Sequence, residues 1–443
     1  MNEPASRKSF LKVLGPGLLF AGTSVGVSEM VQSTRAGADF SFALLIVIVL
    51  ACALKYPAFA FGPWYAHATG VSLLEGFRRQ GRWALILFLL VTLGTVFTVQ
   101  AIVTLISASV LASLLGLDYQ FSVLGLNLGP AVTVSAGLLI ACALILRAGE
   151  YKWLDRVNKT LIFVLTASTI VATILALTKL STGTMVWTLP EGTLSDRGPI
   201  VRVTGLIGWT PAAYDVAVWH SVWFLAHRAQ SGQNPTLKEA RLDFNIGYWF
   251  SSFTSVCFLT LGACLMYANG FVFPENPVAF ASALVNLYVL NFGEWARPLL
   301  GLCAFSAMFS TVLVVTDSFP RVLSNLVQRF REPEQPQLTP VMPKRLYWFA
   351  MAAICTLALA ILAHGLGQPP LGGGIKLGQL IDLATTLSFL SAPFLGFLIH
   401  RAMFSKDIPT EMRPGRFLQS FSMFSIAFNV VFGAYFLWLR FWS

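Results

Sequence analysis

Long apolar runs, each closed by a short polar or charged segment, recur along the whole chain. Eleven of these runs reach the ~17–25 residues that a helix needs to cross a bilayer. They lie near residues 11–35, 41–67, 84–115, 130–147, 156–178, 202–228, 243–268, 295–327, 346–363, 377–402 and 418–441. The runs are continuous rather than alternating, which excludes a transmembrane β-barrel, and helices then remain to satisfy the backbone in lipid. The pattern predicts an all-α integral membrane protein with 11 transmembrane helices.

Lysine and arginine are distributed unevenly between the two sides that these spans define. If the N-terminus is cytoplasmic, 22 of them lie in cytoplasmic segments, seven lie outside, and Lys55 lies within the second span. Cytoplasmic loops carry the excess of positive charge. We therefore expect a multi-pass protein of the plasma (inner) membrane, with a cytoplasmic N-terminus and an external C-terminus. The net charge of +10 then reflects topology, and the lipid bilayer rather than a nucleic acid is the expected partner.

Two polar interruptions, residues 22–29 and 208–215, break the first and sixth runs with a similar pattern. Each begins with glycine, has Ser or Thr two residues later, and ends with a carboxylate. Glycine and Pro211 allow a helix to break at these points. Four whole spans separate the interruptions, so the two halves start on opposite sides, as inverted repeats require. The predicted parts of this single domain, 1–443, are repeat 1 at about 11–178, repeat 2 at about 202–402, and an extra helix at 418–441.

The interruptions place Glu29 and Asp215 within the membrane. Carboxylates at that depth are costly and mark functional sites by default. With carbonyls freed near Gly26, they form an oxygen-rich site that suits hard cations such as Mg²⁺, Ca²⁺ or Mn²⁺. They serve equally well as proton carriers, because burial favours the neutral carboxyl. A third interpretation stays open, in which Lys55 pairs with Glu29 and supplies a built-in cation.

Other polar residues within the spans carry weaker signals. Asp317 in span eight and Asp382 early in span ten either face a transport pathway, or cap a helix or lie near the interface. His220 either relays protons or packs as a neutral core residue. These three are candidates for a proton path, and Lys55 is a candidate counter-charge.

The opening helix, Gly15-Pro16-Gly17-Leu18-Leu19-Phe20-Ala21 followed by Ala36-Gly37, resembles that of Nramp-type divalent metal transporters. Segments similar to that family follow in order, at Thr69-Gly70, Leu73-Leu74-Glu75, residues 151–155, His220-Ser221 and Gln379. The chain is identified as a distant member. The resemblance implies the LeuT-like fold with a 5+5 inverted repeat and interrupted helices 1 and 6. It also implies alternating access and proton-linked metal symport.

The departures from the family fall on its metal-site motifs. Where the family has Asp-Pro-Gly-Asn, this chain has Gly26-Val27-Ser28-Glu29. Where the family has Met-Pro-His, it has Ala213-Tyr214-Asp215, so the soft methionine sulfur is absent. Gln379 keeps its ligand type. The resemblance thus transfers the scaffold and the position of the site, rather than the metal specificity.

Two functions follow from these observations. In the first, a secondary transporter moves a divalent cation bound by Glu29, Asp215 and Gln379. In the second, the same fold carries a small organic solute, an amine or amino acid, between aromatic walls at Trp209 and Tyr214. Six cysteines without a CxxC pair indicate no zinc site or disulfide framework. No Walker motif is present, so the sequence gives no support to ATP-driven transport. No nucleophile–base pair is present either, so we do not expect an enzyme. We expect no cofactor, and we expect a monomer.

Overall fold

The computed structural model describes residues 15–119, 121–123, 126–178, 185–232, 234–271, 282–283, 285–286, 289, 293–331, 344–366 and 377–442. Residues 11–14 of the first predicted span lie outside this part, as do Lys179 and Lys376 from the charge count. The α-helices are α1 Pro16–Ser24, α2 Val27–Phe40, α3 Leu45–Thr69, α4 Leu73–Gln80, α5 Arg82–Leu114, α6 Pro130–Thr178, α7 Arg197–Trp209, α8 Val216–Ser231, α9 Leu237–Leu261, α10 Arg297–Arg331, α11 Lys344–Leu366, α12 Leu377–Met403 and α13 Arg416–Trp442. A π-helix, Gly262–Met266, extends α9, and 3-10 turns lie at Tyr267–Asn269, Glu294–Ala296 and Thr410–Met412. Strands β1 Phe121–Val123 and β2 Leu126–Leu128 form an antiparallel hairpin.

The membrane character and the all-α class are confirmed. Within the described ranges, eight segments are long and apolar enough to cross a bilayer. They are Leu45–Thr69, Arg82–Leu114, Pro130–Ala148, Lys159–Thr178, Leu237–Asn269, Lys344–Gly365, Gly378–Met403 and Arg416–Trp442. The remaining predicted spans correspond to α1 with α2, α7 with α8, and α10. The count of eleven stays a prediction.

One boundary differs from the prediction. The loop expected between the fourth and fifth spans is absent from the described backbone, where α6 runs unbroken from Pro130–Thr178 over 49 residues. Residues 148–155 contain no proline that would remove a helical hydrogen bond. Its two apolar segments, Pro130–Ala148 and Lys159–Thr178, have 19 and 20 residues, which is about 28 and 30 Å at 1.5 Å per residue, so each is long enough for a separate span. The side chains of residues 149–155 lie outside the described set, and residues 151–155 among them carried part of the family resemblance.

Helix breaks occur at the two predicted positions. α1 ends at Ser24 and α2 begins at Val27. Gly26 lies between them against α10, where an added Cβ would fall 1.6 Å from Thr311 Oγ1. α7 ends at Trp209, and residues 210–215 lead into α8 through a cis Thr210–Pro211 peptide bond. The predicted interruptions of helices 1 and 6 are therefore confirmed.

Close backbone contacts join the two halves where α1 crosses α9. A Cβ added to Gly247 would lie 1.9 Å from the carbonyl oxygen of Gly17. Small residues permit such approaches between membrane helices. The Asp243 carboxylate of α9 accepts hydrogen bonds from the Gly15 and Gly17 amides, at 3.0 and 2.8 Å. It thereby satisfies amides at the α1 N-terminus, which have no helical partner.

Candidate functional site

A small cavity lies between the two helix breaks, with α5, α10 and α12 completing its walls. It holds about 40 Å³ of space for molecules the size of water. Its polar side chains are Thr23, Ser28, Asp215, Thr311 and Ser388, and its aromatic walls are Trp209, Trp219 and Phe319. Within the described part of the chain, Asp215 is the one ionisable side chain that lines the cavity. The cavity therefore joins one carboxylate to hydroxyl groups and indole surfaces.

Asp215 directly precedes α8, and the sequence explains this position. Pro211 prevents the helix from continuing through the break, and α8 begins only at Val216. The Asp215 carbonyl accepts from the Val218 and Trp219 amides at 2.9 and 3.2 Å, forming the first helical bonds. The carboxylate consequently lies near the positive end of the helix dipole, which stabilises negative charge. It is 7% exposed and borders the cavity beside Ala213.

The two predicted aromatic residues have different surroundings. Trp209 lines the cavity and donates from its indole Nε1 to Ser388 Oγ at 3.0 Å, which joins α7 to α12. Tyr214 is absent from the cavity lining among the residues described. Its hydroxyl accepts from Asn429 Nδ2 of α13 at 3.1 Å. Tyr214 thus anchors the second break to the extra helix.

Lys55 contacts the second break instead of Glu29. Its ammonium donates to the carbonyl oxygens of Gly208 and Ala212 at 2.9 and 2.8 Å. The nitrogen lies over the Tyr214 ring, 5.6 Å from the ring centroid. The residue is 2% exposed. Its position in α3 brings a cation to carbonyls that the break has released from helical bonding.

Glu29 is fully buried, but it belongs to a different interface. Its carboxylate accepts hydrogen bonds from Ser251 and Thr254 of α9, the latter at 2.5 Å. Glu29 is not among the described residues that line the cavity. Gly26 likewise packs against α10. The structure does not bring Glu29 and Asp215 together around one cavity, although each interruption contributes other residues to it.

The remaining candidates lie apart from the cavity. Gln379 is exposed near the start of α12. Asp382, one turn further, forms an ion pair with Arg35 at 3.4 Å. His220 is buried and stacks on Phe20 with centroids 5.9 Å apart. Neither of its ring nitrogens has a hydrogen-bond partner within the described residues.

Asp317 is buried in the core, where Arg321 balances its charge. Its carboxylate accepts from Arg321 Nη2 and Nε at 2.6 and 2.8 Å, and from the Tyr347 hydroxyl at 2.8 Å. These contacts connect one turn of α10 with α11. The structural interpretation of this carboxylate is favoured over a role in the pathway.

Metal ligation in the cavity would depend on Asp215 and uncharged oxygens. No cluster of three or more His, Cys, Asp or Glu residues suited to a metal occurs in the described ranges. No motif or charge in the sequence marks Thr311, Ser388, Ser251 or Thr254 as a site residue. The last two lie three positions apart on one face of a predicted span, a spacing that would have suggested a shared hydrogen-bond partner.

Comparisons with known proteins agree with this architecture. The model of the Nramp family, natural resistance-associated macrophage protein-like, matches residues 17–439. An uncharacterised protein of Pasteurella multocida is 28% identical over 403 residues, covering 89% of this chain and 86% of that protein. The divalent metal cation transporter MntH of Yersinia pestis is 24% identical, with 86% of this chain and 91% of that protein covered.

Two solved structures share the fold. The manganese transporter of Eremococcus coleocola has a TM-score of 0.71 at 16% identity, covering 99% of this chain and 88% of that one. MhsT in complex with L-phenylalanine has a TM-score of 0.65 at 15% identity, and 99% of each chain is covered. These matches confirm the predicted LeuT-like architecture. Proteins of the matched family are transporters and not enzymes. Because the family model matches nearly the whole length of the chain, the chain belongs to the Nramp family.

Proposed function

We propose that this protein is a secondary active transporter that moves a divalent metal cation by alternating access. The observation that carries the proposal is the Asp215 carboxylate, which borders a small cavity at the break between α7 and α8. The names of its relatives support the substrate class, since MntH is a divalent metal cation transporter and the Eremococcus protein a manganese transporter. A hard cation such as Mn²⁺, Ca²⁺ or Mg²⁺ fits the oxygen-only donor set.

The cavity residues supply different kinds of ligand to the bound cation. Asp215 supplies the negative charge, and the hydroxyls of Thr23, Ser28, Thr311 and Ser388 supply neutral oxygens. Both interrupted helices contribute to the walls. A relative movement of the two repeats would therefore change access to the cavity while keeping its ligands, as broken-helix transporters require.

Proton linkage is part of the proposal, and Glu29 is the residue we assign to it. Glu29 is fully buried, is held by two hydroxyls of α9, and lies outside the cavity lining. A carboxylate separate from the cation ligand allows the two ions to bind at different positions. Asp382, Asp317 and Gln379 have no assigned role in it, because ion pairs hold the first two and Gln379 is exposed.

A small organic cation is the second candidate. Trp209 and Trp219 face the cavity that Asp215 borders, and indole faces attract ammonium groups. Because Lys55 already takes two carbonyls of the break, those two oxygens are not available to a metal. An amine held by Asp215 and stacked on an indole fits these contacts.

Calorimetry on purified protein tests the choice. We expect Mn²⁺, Ca²⁺ or Mg²⁺ to bind the wild type. The Asp215→Asn variant should no longer bind that ion. The matched control is Asp39→Asn, since Asp39 pairs with Arg202 on α7 away from the cavity. Absence of divalent binding by the wild type, or equal loss in both variants, contradicts the proposal. Thermal stabilisation by a panel of amines, lost in Trp209→Ala, would instead establish the organic substrate.

A further inference from the structure

The carbonyls of Gly208 and Ala212 are released from helical hydrogen bonding by the second break. In a continuous helix the Ala212 amide would donate to Gly208 and the Val216 amide would donate to Ala212. The Val216 amide donates instead to Ala213, and none of the described backbone amides donates to Gly208 or Ala212. Carbonyls without partners are costly inside a membrane unless a donor, a cation or the water of a cavity compensates them. Some donor or cation must compensate these two oxygens.

The Lys55 side chain provides that compensation from a neighbouring helix. Its nitrogen lies 2.9 Å from the Gly208 oxygen and 2.8 Å from the Ala212 oxygen. The face of the Tyr214 ring, 5.6 Å away at its centroid, completes the surroundings. An ammonium has three donors and no acceptor, which matches two carbonyls and one π face. We call these three groups the ammonium site.

The ammonium site has the composition of a cation-binding site. Carbonyl oxygens at a broken helix coordinate ions in membrane transporters, and an aromatic face attracts a cation. The Tyr214 ring is fixed, because its hydroxyl accepts a hydrogen bond from Asn429 of α13. Ala212 also borders the cavity, so the ammonium site and the cavity share a wall.

We propose that Lys55 is a built-in cation, whose tethered ammonium fills a cation-binding site at the second break. The break is then held in shape without an exchangeable ion at this position. This inference goes beyond the proposed function, because the ammonium belongs to the chain itself and occupies its site whatever the transported substrate. It predicts that a small soluble ammonium replaces the side chain once that side chain is removed.

Chemical rescue tests the proposal. Lys55→Ala removes four atoms beyond Cβ, which n-propylammonium matches in length and charge. We expect Lys55→Ala to inactivate in detergent more than about tenfold faster than the wild type at a fixed temperature, because hydrogen bonds to a charged group are lost. Added n-propylammonium should slow this inactivation in a saturable manner. n-Propanol, which fills the same space without charge, should not.

Two further variants keep the outcome decisive. Lys55→Met fills the site with an uncharged side chain, so it should be destabilised and should not respond to n-propylammonium. Lys238→Ala removes an exposed lysine of α9 and should match the wild type with and without the amine. If Lys55→Ala is recovered only when n-propylammonium is present during purification, that recovery is itself the expected rescue.

Several results would overturn the inference. These are wild-type stability of Lys55→Met, equal rescue by n-propanol, or no recovery of Lys55→Ala under either condition. All of these measurements use the protein without transported substrate. Their outcome is therefore independent of whether divalent cations bind at Asp215.

Discussion

The buried Asp317–Arg321–Tyr347 cluster allows a quantitative test of how α10 and α11 are held together. Asp317 is completely buried, and the Arg321 side chain is 9% exposed. The guanidinium donates through two nitrogens to both carboxylate oxygens, at 2.6 and 2.8 Å, and the Tyr347 hydroxyl donates at 2.8 Å. The perturbation is Asp317→Asn, which preserves shape and removes the negative charge.

The expected loss follows from the burial of both partners. Removing one member of a buried ion pair leaves the other charge uncompensated and costs about 3–5 kcal/mol. Asparagine retains one acceptor oxygen, so we expect the lower end, about 3 kcal/mol. Each 1.4 kcal/mol corresponds to about a tenfold change in an equilibrium constant. The folded state of Asp317→Asn should therefore be disfavoured about 100-fold.

Thermal inactivation in detergent provides the assay, followed as loss of the monodisperse protein at several temperatures. Rates are the appropriate quantity, because membrane proteins of this size often unfold irreversibly. Asp317→Asn should inactivate much faster than the wild type, and Asp317→Asn combined with Arg321→Met should recover most of the loss, since neither charge remains. The control Glu294→Gln breaks an exposed pair in the first turns of the same region and should have no measurable effect.

The reasoning would be refuted if Asp317→Asn were as stable as the wild type. It would also fail if the double variant were no more stable than the single one. In the second case the loss would come from packing around Asp317 and not from an uncompensated Arg321 charge.

Three further predictions concern a close glycine contact, the indole hydrogen bond of Trp209 and a partly exposed ion pair. Gly247→Ala should severely reduce yield or thermal stability, because its Cβ would overlap the α1 backbone, whereas Gly137→Ala, with open space around it, should behave as wild type. Trp209→Phe should keep the aromatic wall and lose the indole hydrogen bond to α12, lowering stability by about 1 kcal/mol in unfolding assays; an unchanged Tm would contradict this. Arg35→Gln breaks the partly exposed pair with Asp382 and should cost under about 1 kcal/mol, so a large loss of stability would show that this contact is more than a surface pair.

Much of the architecture could be predicted from local properties of the sequence. Apolar length and the distribution of positive charge indicate spanning helices, and glycine with Pro211 indicates where helices break. These signals act within one element and need no knowledge of its neighbours. The continuity of α6 does not follow from the sequence, because the polar residues within 148–155 are typical of a loop, although a helical backbone tolerates them.

The partners of the buried polar groups could not be predicted in the same way. Glu29 and Asp215 occupy matching positions in two similar segments, yet one carboxylate faces α9 and the other borders the cavity. Lys55 was a candidate partner for Glu29 and instead contacts the break before α8. The rotation of each helix about its own axis decides which neighbour a buried polar side chain contacts. That rotation depends on contacts such as Gly17 with Gly247, which are more than 200 residues apart in the sequence.

The size of the cavity imposes a kinetic condition on any metal ion that enters it. One water molecule needs at least about 10–15 Å³, and the cavity holds about 40 Å³ of space for molecules of that size. A metal ion with six waters is larger than this space, so an ion bound there would exchange part of its hydration shell for the oxygens of the walls. Mg²⁺ releases water reluctantly and binds at short, nearly octahedral distances, whereas Ca²⁺ accepts flexible coordination. If the proposed divalent cation binds there, this loss of hydration water would favour Ca²⁺ over Mg²⁺ at Asp215.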